Sequence, residues 1–189
     1  MKRGALLVLV ALLAAGCGSH KKSESTTLPH VLPNAATPDE WAQRVVDRFL
    51  RPMNSDLQVV TNFNNPQIRL FIASANPTTI RVINTRMRDL QKCTAKLVTI
   101  GPPPPHQPKL TDISFHFRRA CPDYELVATK LLQATEFLGS GRTDVISRGQ
   151  DVARSARPAS GRAANQFAAG VKIAQRLAEF QRAGLKPSL

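Results

Sequence analysis

The sequence predicts an all-α fold, an antiparallel four-helix bundle with proline-kinked helices and one inter-helix disulfide. Apolar residues recur every three or four positions over most of residues 38–180, which is the period of an amphipathic helix. Aromatic residues make up only 5% of the chain although 42% of it is hydrophobic, so the core is built mainly from aliphatic side chains. Short stretches rich in proline or glycine separate the apolar stripes and predict connections between antiparallel neighbours.

The first helix is expected to begin at Thr37, with Pro38 in its first turn and Glu40 completing a capping box. Pro52 should bend or break this helix, because a proline ring clashes with the preceding turn. Its apolar stripe consists of Trp41, Val45, Val46, Phe49, Leu50, Met53, Leu57 and Val60.

The second segment contains two pairs, Asn65-Pro66 and Asn76-Pro77, that each look like a helix cap followed by a first-turn proline. The helical periodicity nevertheless continues through both pairs, from Ile68 to Leu97. The pattern therefore fits either one kinked helix or a short helix that leads into a longer one.

The third segment follows a connection, residues 101–108, that contains five prolines and cannot be helical. Pro122 should kink it, and Gly139-Ser140-Gly141 should end it. The alternation Ile113-Phe115-Phe117 would suit a short strand, but a longer helical stripe favours a helix. That stripe is Leu110, Ile113, Phe117, Cys121, Tyr124, Ala128, Leu131, Thr135 and Leu138.

The last segment has two apolar stripes, one on either side of Pro158, where we expect a further kink or break. Small residues at inward positions of this segment would let a neighbouring helix approach closely. They are Gly149, Ala164, Ala168 and Gly170.

The first residues of the chain have the pattern of a secretory leader. Lys2 and Arg3 precede an apolar run that ends near Leu13, and Ala14-Ala15-Gly16 bring small residues up to Cys17. The apolar run is shorter than the roughly 20 residues that a membrane-spanning helix needs. An ordinary signal peptide with a cysteine near its end is the alternative.

The ending Leu13-Ala14-Ala15-Gly16-Cys17 resembles the lipobox of bacterial lipoproteins, although Ala14 stands where leucine is commoner. The resemblance implies cleavage after Gly16, lipidation of Cys17 by acyl groups such as palmitate, and a place on the extracytoplasmic face of the cell membrane. The implied domains are a signal peptide (1–16), a lipid-anchored flexible linker (17–37) and a helical bundle domain (38–189). The proline loop and Ala-rich final helix also resemble features of uncharacterised helical lipoproteins of high-GC Gram-positive bacteria. This resemblance implies no particular activity.

Export would place the two remaining cysteines, Cys93 and Cys121, in an oxidising compartment, where a pair is expected to form a disulfide. In an antiparallel hairpin across the proline loop, the two residues reach similar heights. Closing a loop of about 29 residues is worth roughly 3–4 kcal/mol by the chain-entropy relation.

The formal charge of +13 indicates anionic partners or, alternatively, a solvated helical surface, because the basic residues are scattered. For an exported lipoprotein the anionic partners would be lipid head groups or cell-wall polymers, not nucleic acid. The sequence leaves the oligomeric state open.

No catalytic, cofactor or metal site is predicted. Haem ligation by Met87 and His116 together fails because the disulfide register offsets them by about 16 Å. Met53 remains free to pair with either, but the sequence contains no CxxCH attachment motif. His20 and His30 are expected in the linker, His106 in solvent, and His116 in a partly buried structural position. The run from Gly139 to Thr143 lacks the lysine and spacing of a phosphate loop.

Two functions remain. The first is a non-enzymatic binding or structural module at the cell envelope. The second is a carrier of a small apolar ligand within the bundle, for which the small residues of the last helix could leave space.

Overall fold

The fold was analysed in a computed structural model that describes residues 33–35, 37–63, 65, 77–140 and 142–186. Every regular element in these residues is helical, which confirms the all-α class. The four-helix antiparallel arrangement stays a prediction. The elements are α1 (Pro38–Val45), a π-helical turn (Val46–Leu50), α2 (Arg51–Phe63), α3 (Pro77–Leu90), α4 (Cys93–Ile100), α5 (Pro108–Leu138), α6 (Thr143–Ser155), α7 (Arg157–Ala174) and α8 (Ala178–Arg182).

Helix α5 is the centre of the fold, because α3, α4, α6 and α7 all pack against it. Every residue of the stripe predicted for this segment is buried. Helix α7 runs antiparallel to α5, since His116 bonds to Gln166 while Asp123 pairs with Arg162. Helix α3 is also antiparallel to α5, as the pairs Asn84–Thr135 and Gln91–Thr129 show.

The prolines shape the helices in three different ways. Pro77, Pro108 and Pro158 lie in the first turns of α3, α5 and α7, where a missing N–H costs no hydrogen bond. Pro122 lies inside α5 without interrupting it. Before Pro52 the chain forms the π-helical turn and then continues as α2. The wider turn includes Arg48, whose carbonyl the ring would otherwise meet, so helical structure continues through the predicted break.

Thr37 caps α1 as predicted, because its Oγ1 accepts a hydrogen bond from the backbone N–H of Glu40 at 3.2 Å. The indole N–H of Trp41 donates to the carbonyl of Gly101 at 3.2 Å, and its ring packs edge-on against Phe180. Helix α1 therefore holds both the proline loop and α8. The leader, Cys17, Pro66 and most of the linker lie outside the described residues.

Two of the four predicted small inward positions are buried. Gly149 and Gly170 lie against α5, where added Cβ atoms would meet Leu138 and Phe117. Ala164 and Ala168 are exposed, so the prediction was wrong for them. These two alanines lie beside the contact of α7 with α5, and Ala164 lines a surface depression together with Tyr124 and Phe167.

The disulfide between Cys93 and Cys121 is confirmed. Both residues are fully buried, and their Cα atoms are 5.2 Å apart. The bond joins the first residue of α4 to the middle of α5. The short helix α4 is thereby held against the longest helix of the described chain.

Candidate binding surfaces

The histidines and methionines considered as ligands have structural positions. His116 is half-buried, and its Nδ1 lies 2.9 Å from Oε1 of Gln166, as expected for a structural histidine. His106 is exposed in the proline loop. Met53 and Met87 are completely buried in the core. Within the described residues, no group of three or more His, Cys, Asp or Glu side chains is placed to hold a metal ion.

Asp56 is the buried acid of the described core, and sequence reasoning missed it. Its Oδ2 accepts a hydrogen bond from Lys96 Nζ at 3.2 Å, and its Oδ1 lies 3.8 Å from a guanidinium nitrogen of Arg86 without bonding to it. Burial raises the pKa of this carboxyl, and the charge of Lys96 opposes the shift. Because none of the pockets described below opens onto the group, we assign it a structural role linking α2, α3 and α4.

The outer side of α4 and α5 carries an exposed apolar surface. Val98, Phe115 and Leu126 are 50%, 52% and 44% exposed, and they are three of the four large hydrophobic residues that the described chain exposes. Pro122 and Arg118 line a shallow cleft of about 350 Å³ with Val98, which connects the two helices. We name this surface the α4–α5 face and define it by Val98, Phe115, Arg118, Arg119, Pro122 and Leu126.

The α4–α5 face is also basic. In the described part of the chain, neither Arg118 nor Arg119 lies within ion-pair distance of an acid, and Arg119 lies over the ring of Phe115 at 5.5 Å. The adjacent carboxylate of Glu125 is engaged, since it accepts a hydrogen bond from the backbone N–H of Thr94 at 2.7 Å. Asp112, one turn before Phe115, is exposed and opposes the two arginines only at the edge of the face.

The start of the described chain lies near the C-terminal end of α4. A guanidinium nitrogen of Arg44 donates to the carbonyl of Pro33 at 2.5 Å and approaches the carbonyl of Ile100 at 3.4 Å. Ile100 is buried, whereas Val98, two residues earlier on α4, is exposed on a different side of the helix. Pro33 therefore marks the end of α4 and not the exposed side that carries Val98.

A second candidate is a groove between α2 and α7. Three adjoining depressions of about 510, 390 and 250 Å³ share Leu57 and form one continuous surface. We name it the α2–α7 groove. The described residues that line it are Val46, Leu50, Arg51, Asn54, Leu57, Gln58, Val60, Thr61, Asn62, Tyr124, Ser160, Ala164, Phe167, Val171, Gly184 and Leu185.

The floor of the α2–α7 groove is aromatic. Phe167 contacts Phe49, Phe117 and Tyr124 with ring centroids 5.3 to 6.1 Å apart. Burial raises the pKa of Tyr124 to about 12, so its hydroxyl stays protonated at ordinary pH. The floor is therefore rigid, apolar and uncharged.

Comparisons with known proteins give no family assignment: no protein-family model, no curated protein and no solved structure matches the chain. Among the described residues, no helix is both long enough and apolar enough to cross a membrane.

Neither surface was visible in the sequence. Leu57 fits the core stripe of its helix but is only half-buried, because α2 and α7 stand apart above Phe167. Phe115, Pro122 and Leu126 follow each other at intervals of seven and four residues. That spacing places them on one side of a helix, and it was the available signal for the α4–α5 face.

Proposed function

We propose that this chain is a membrane-anchored extracytoplasmic lipoprotein, held by lipid on Cys17, that acts as a non-enzymatic binding module on an anionic lipid surface. The observation that carries the proposal is the α4–α5 face, where exposed apolar side chains stand beside two arginines that form no ion pair with the acids of the described residues. This combination suits the boundary between head groups and acyl chains, where apolar groups insert and cations remain at the phosphates.

The position of Pro33 is compatible with the same proposal. Pro33 lies near the C-terminal end of α4, one of the two helices of the face, and we propose that a linker from Cys17 keeps the α4–α5 face within reach of the membrane. The formal charge of +13 would favour the approach to an anionic surface from any direction. We further propose that the helical segments are arranged as an antiparallel bundle around α5.

A vesicle experiment tests this docking. All described contacts lie within residues 33–186, so the chain from Gly18 onward keeps them and carries no lipid. We expect it to bind phosphatidylglycerol vesicles at low salt and to be released at 0.5 M salt, because salt screens the attraction. Absence of binding at low salt, or tighter binding to cell-wall fragments than to vesicles, would contradict the lipid surface as partner.

Two matched double variants distinguish the contribution of the α4–α5 face to vesicle binding from the contribution of net charge. Changing Arg118 and Arg119 to Gln should weaken vesicle binding by roughly thirtyfold, since each basic residue near an anionic surface contributes about 1 kcal/mol. Changing Arg48 and Arg81 to Gln removes the same charge from exposed positions elsewhere and should have a much smaller effect. Equal losses in both double variants would mean that only the net charge matters.

The apolar part of the face has its own control. Phe115→Ser should weaken binding, because the ring can no longer insert. Val82→Ser alters the remaining exposed large hydrophobic residue, on α3, and should leave binding unchanged.

The lipid anchor is tested in cells. Replacing Cys17 by Ser should move the protein out of the membrane fraction, because a single docking face binds reversibly whereas two or three acyl chains hold for much longer. Unchanged membrane retention of the Cys17→Ser protein would remove the lipoprotein proposal without affecting the vesicle result.

A further inference from the structure

The α2–α7 groove shares no lining residue with the α4–α5 face, so its use goes beyond the docking proposed above. It is also distinct from a cavity inside the bundle, because it is an open depression at the surface between two helices. Its largest section, of about 510 Å³, falls within the range of small-molecule sites.

The groove differs from the rest of the chain in its scarcity of charge. One residue in five of the whole chain is charged, yet Arg51 is the single charged residue among the described residues that line the groove. Leu50, Leu57 and Val171 form its walls above the ring of Phe167. The section of the groove formed by these four side chains favours an apolar occupant, because covering apolar surface removes it from water.

Arg51 stands at one end of the groove. One guanidinium nitrogen is 2.6 Å from Asp47 Oδ1, and the other, Nη2, lies 3.3 Å from the position that a Cβ on Gly184 would take. Gly184 has a φ of 91° and lines the same end. A guanidinium has five N–H donors, so Arg51 can keep Asp47 and still bind a second anion.

The groove is elongated along α2. From Leu50 to Val60, which line its first section and its apolar branch, the rise is about 15 Å. Beyond Leu57 the groove divides into a branch lined by Tyr124, Ala164 and Phe167 and a branch of amide and hydroxyl side chains. The first branch continues the apolar floor away from Arg51, so an extended acyl chain has a path along it.

We propose that the α2–α7 groove binds a single-chain anionic amphiphile, with its head group at Arg51 and its acyl chain over Leu57 and Phe167. The head group is a carboxylate or a phosphate, since both accept paired hydrogen bonds from a guanidinium. A free fatty acid and a single-chain phospholipid are two sources of this chemistry.

Calorimetric titration of the chain from Gly18 onward tests the proposal with three probes below their micellar concentrations. Hexadecanoate and a hexadecanoyl lysophospholipid supply the two anionic head groups, and hexadecanol supplies the same chain without charge. We expect saturable binding of one molecule for at least one anionic probe, and the tighter of the two identifies the source. Absence of saturable binding to both overturns the proposal.

Two variants place the ligand in the groove. Arg51→Gln should weaken the binding of the anionic probe by about tenfold, because it removes only the head-group contact. The affinity for hexadecanol should change by no more than about twofold. Arg48→Gln is the matched control on the preceding turn. If hexadecanol binds wild-type protein as tightly as the anionic probes, the assignment to Arg51 is wrong.

Ala164→Trp places a large side chain in the apolar branch from an exposed position. It should lower the affinity for every probe that binds the wild-type protein by more than about tenfold. Asn165→Trp places the same side chain on the neighbouring exposed position, which does not line the groove. Circular dichroism verifies that both variants are folded. Full binding by a folded Ala164→Trp protein would show that the ligand lies elsewhere. Vesicle docking by the α4–α5 face should be unchanged in both variants.

Discussion

Gly170 lies directly against the ring of Phe117, where an added Cβ would be 2.7 Å from the ring's Cε1 atom. The absence of a side chain at this position lets α7 approach α5. The ring cannot withdraw, because it also packs against Phe49 and Phe167.

Gly170→Ala should therefore lower the free energy of unfolding by about 2 kcal/mol, because overpacking of a tight core outweighs the better helix propensity of alanine. The matched control is Gly161→Ala on the same helix, where nothing lies within 4 Å of the new Cβ. That change should stabilise the protein by up to about 1 kcal/mol. Urea denaturation measures both, and a stabilising Gly170→Ala would show that α7 can move away from α5.

Removing the disulfide should be costly. A protein with both Cys93→Ala and Cys121→Ala should lose about 3–4 kcal/mol of unfolding free energy, because the unfolded chain is no longer constrained. Thermal unfolding of the wild-type protein with and without reductant gives an independent value. If alkylation of the unreduced chain labels two thiols and mass analysis assigns them to these cysteines, the bond is absent in solution.

The buried Asp56 predicts an asymmetry between two substitutions. Lys96→Met should cost about 3 kcal/mol, because it removes the hydrogen-bonded partner of a buried carboxylate. Asp56→Asn should cost much less, because Lys96 and Arg86 are partly exposed and can turn to water. Equal losses of unfolding free energy in the two variants, measured by urea denaturation, would show that the Asp56–Lys96 pair itself stabilises the fold.

The same group predicts a pH dependence with a defined sign. The folded pKa of Asp56 is raised above its ordinary value of 3.8, so protonation favours the folded state. The stabilisation is complete below pH 3.8 and is lost as the pH rises through the folded pKa. Wild-type protein should therefore gain stability relative to Asp56→Asn on acidification from pH 7, and a relative loss would contradict the raised pKa.

The π-helical turn before Pro52 can be tested by removing the proline. Pro52→Ala should raise the free energy of unfolding by about 1–3 kcal/mol, since alanine restores an N–H donor and has a far better helix propensity. Pro105→Ala, in the non-helical loop, is the control and should be neutral or slightly destabilising. A destabilised Pro52→Ala protein would show that the turn depends on the ring.

Local signals in the sequence predicted local structure well. The stripe from Leu110 to Leu138 is buried throughout, Thr37 caps α1, and the cysteines on either side of the proline loop are bonded. These features depend on helical period, cap chemistry and loop length, which neighbouring residues determine. The helix at Ile113–Phe117 was correctly preferred over a strand for the same reason.

Features that depend on distant contacts were not predicted. Asp56 is buried because residues 30 and 40 positions later provide its cations, and no local pattern contains that pairing. A bend or break was predicted at Pro52, whereas the packing of Val46, Phe49 and Leu50 in the core favours a wider turn that keeps both helices in place. The α2–α7 groove similarly depends on the separation of two helices more than 90 residues apart.

Because α8 packs onto α1, the first described helix cannot be fully buried until the last described helix is present. Phe180 packs on Trp41, and Arg182 pairs with Asp39 at 2.6 Å, so the last described helix covers the first. During synthesis or translocation from the N-terminus, α1 must wait for some 140 residues before this partner emerges. Until then the indole of Trp41 lacks the contact with Phe180, and chaperones and proteases have access to it for that period.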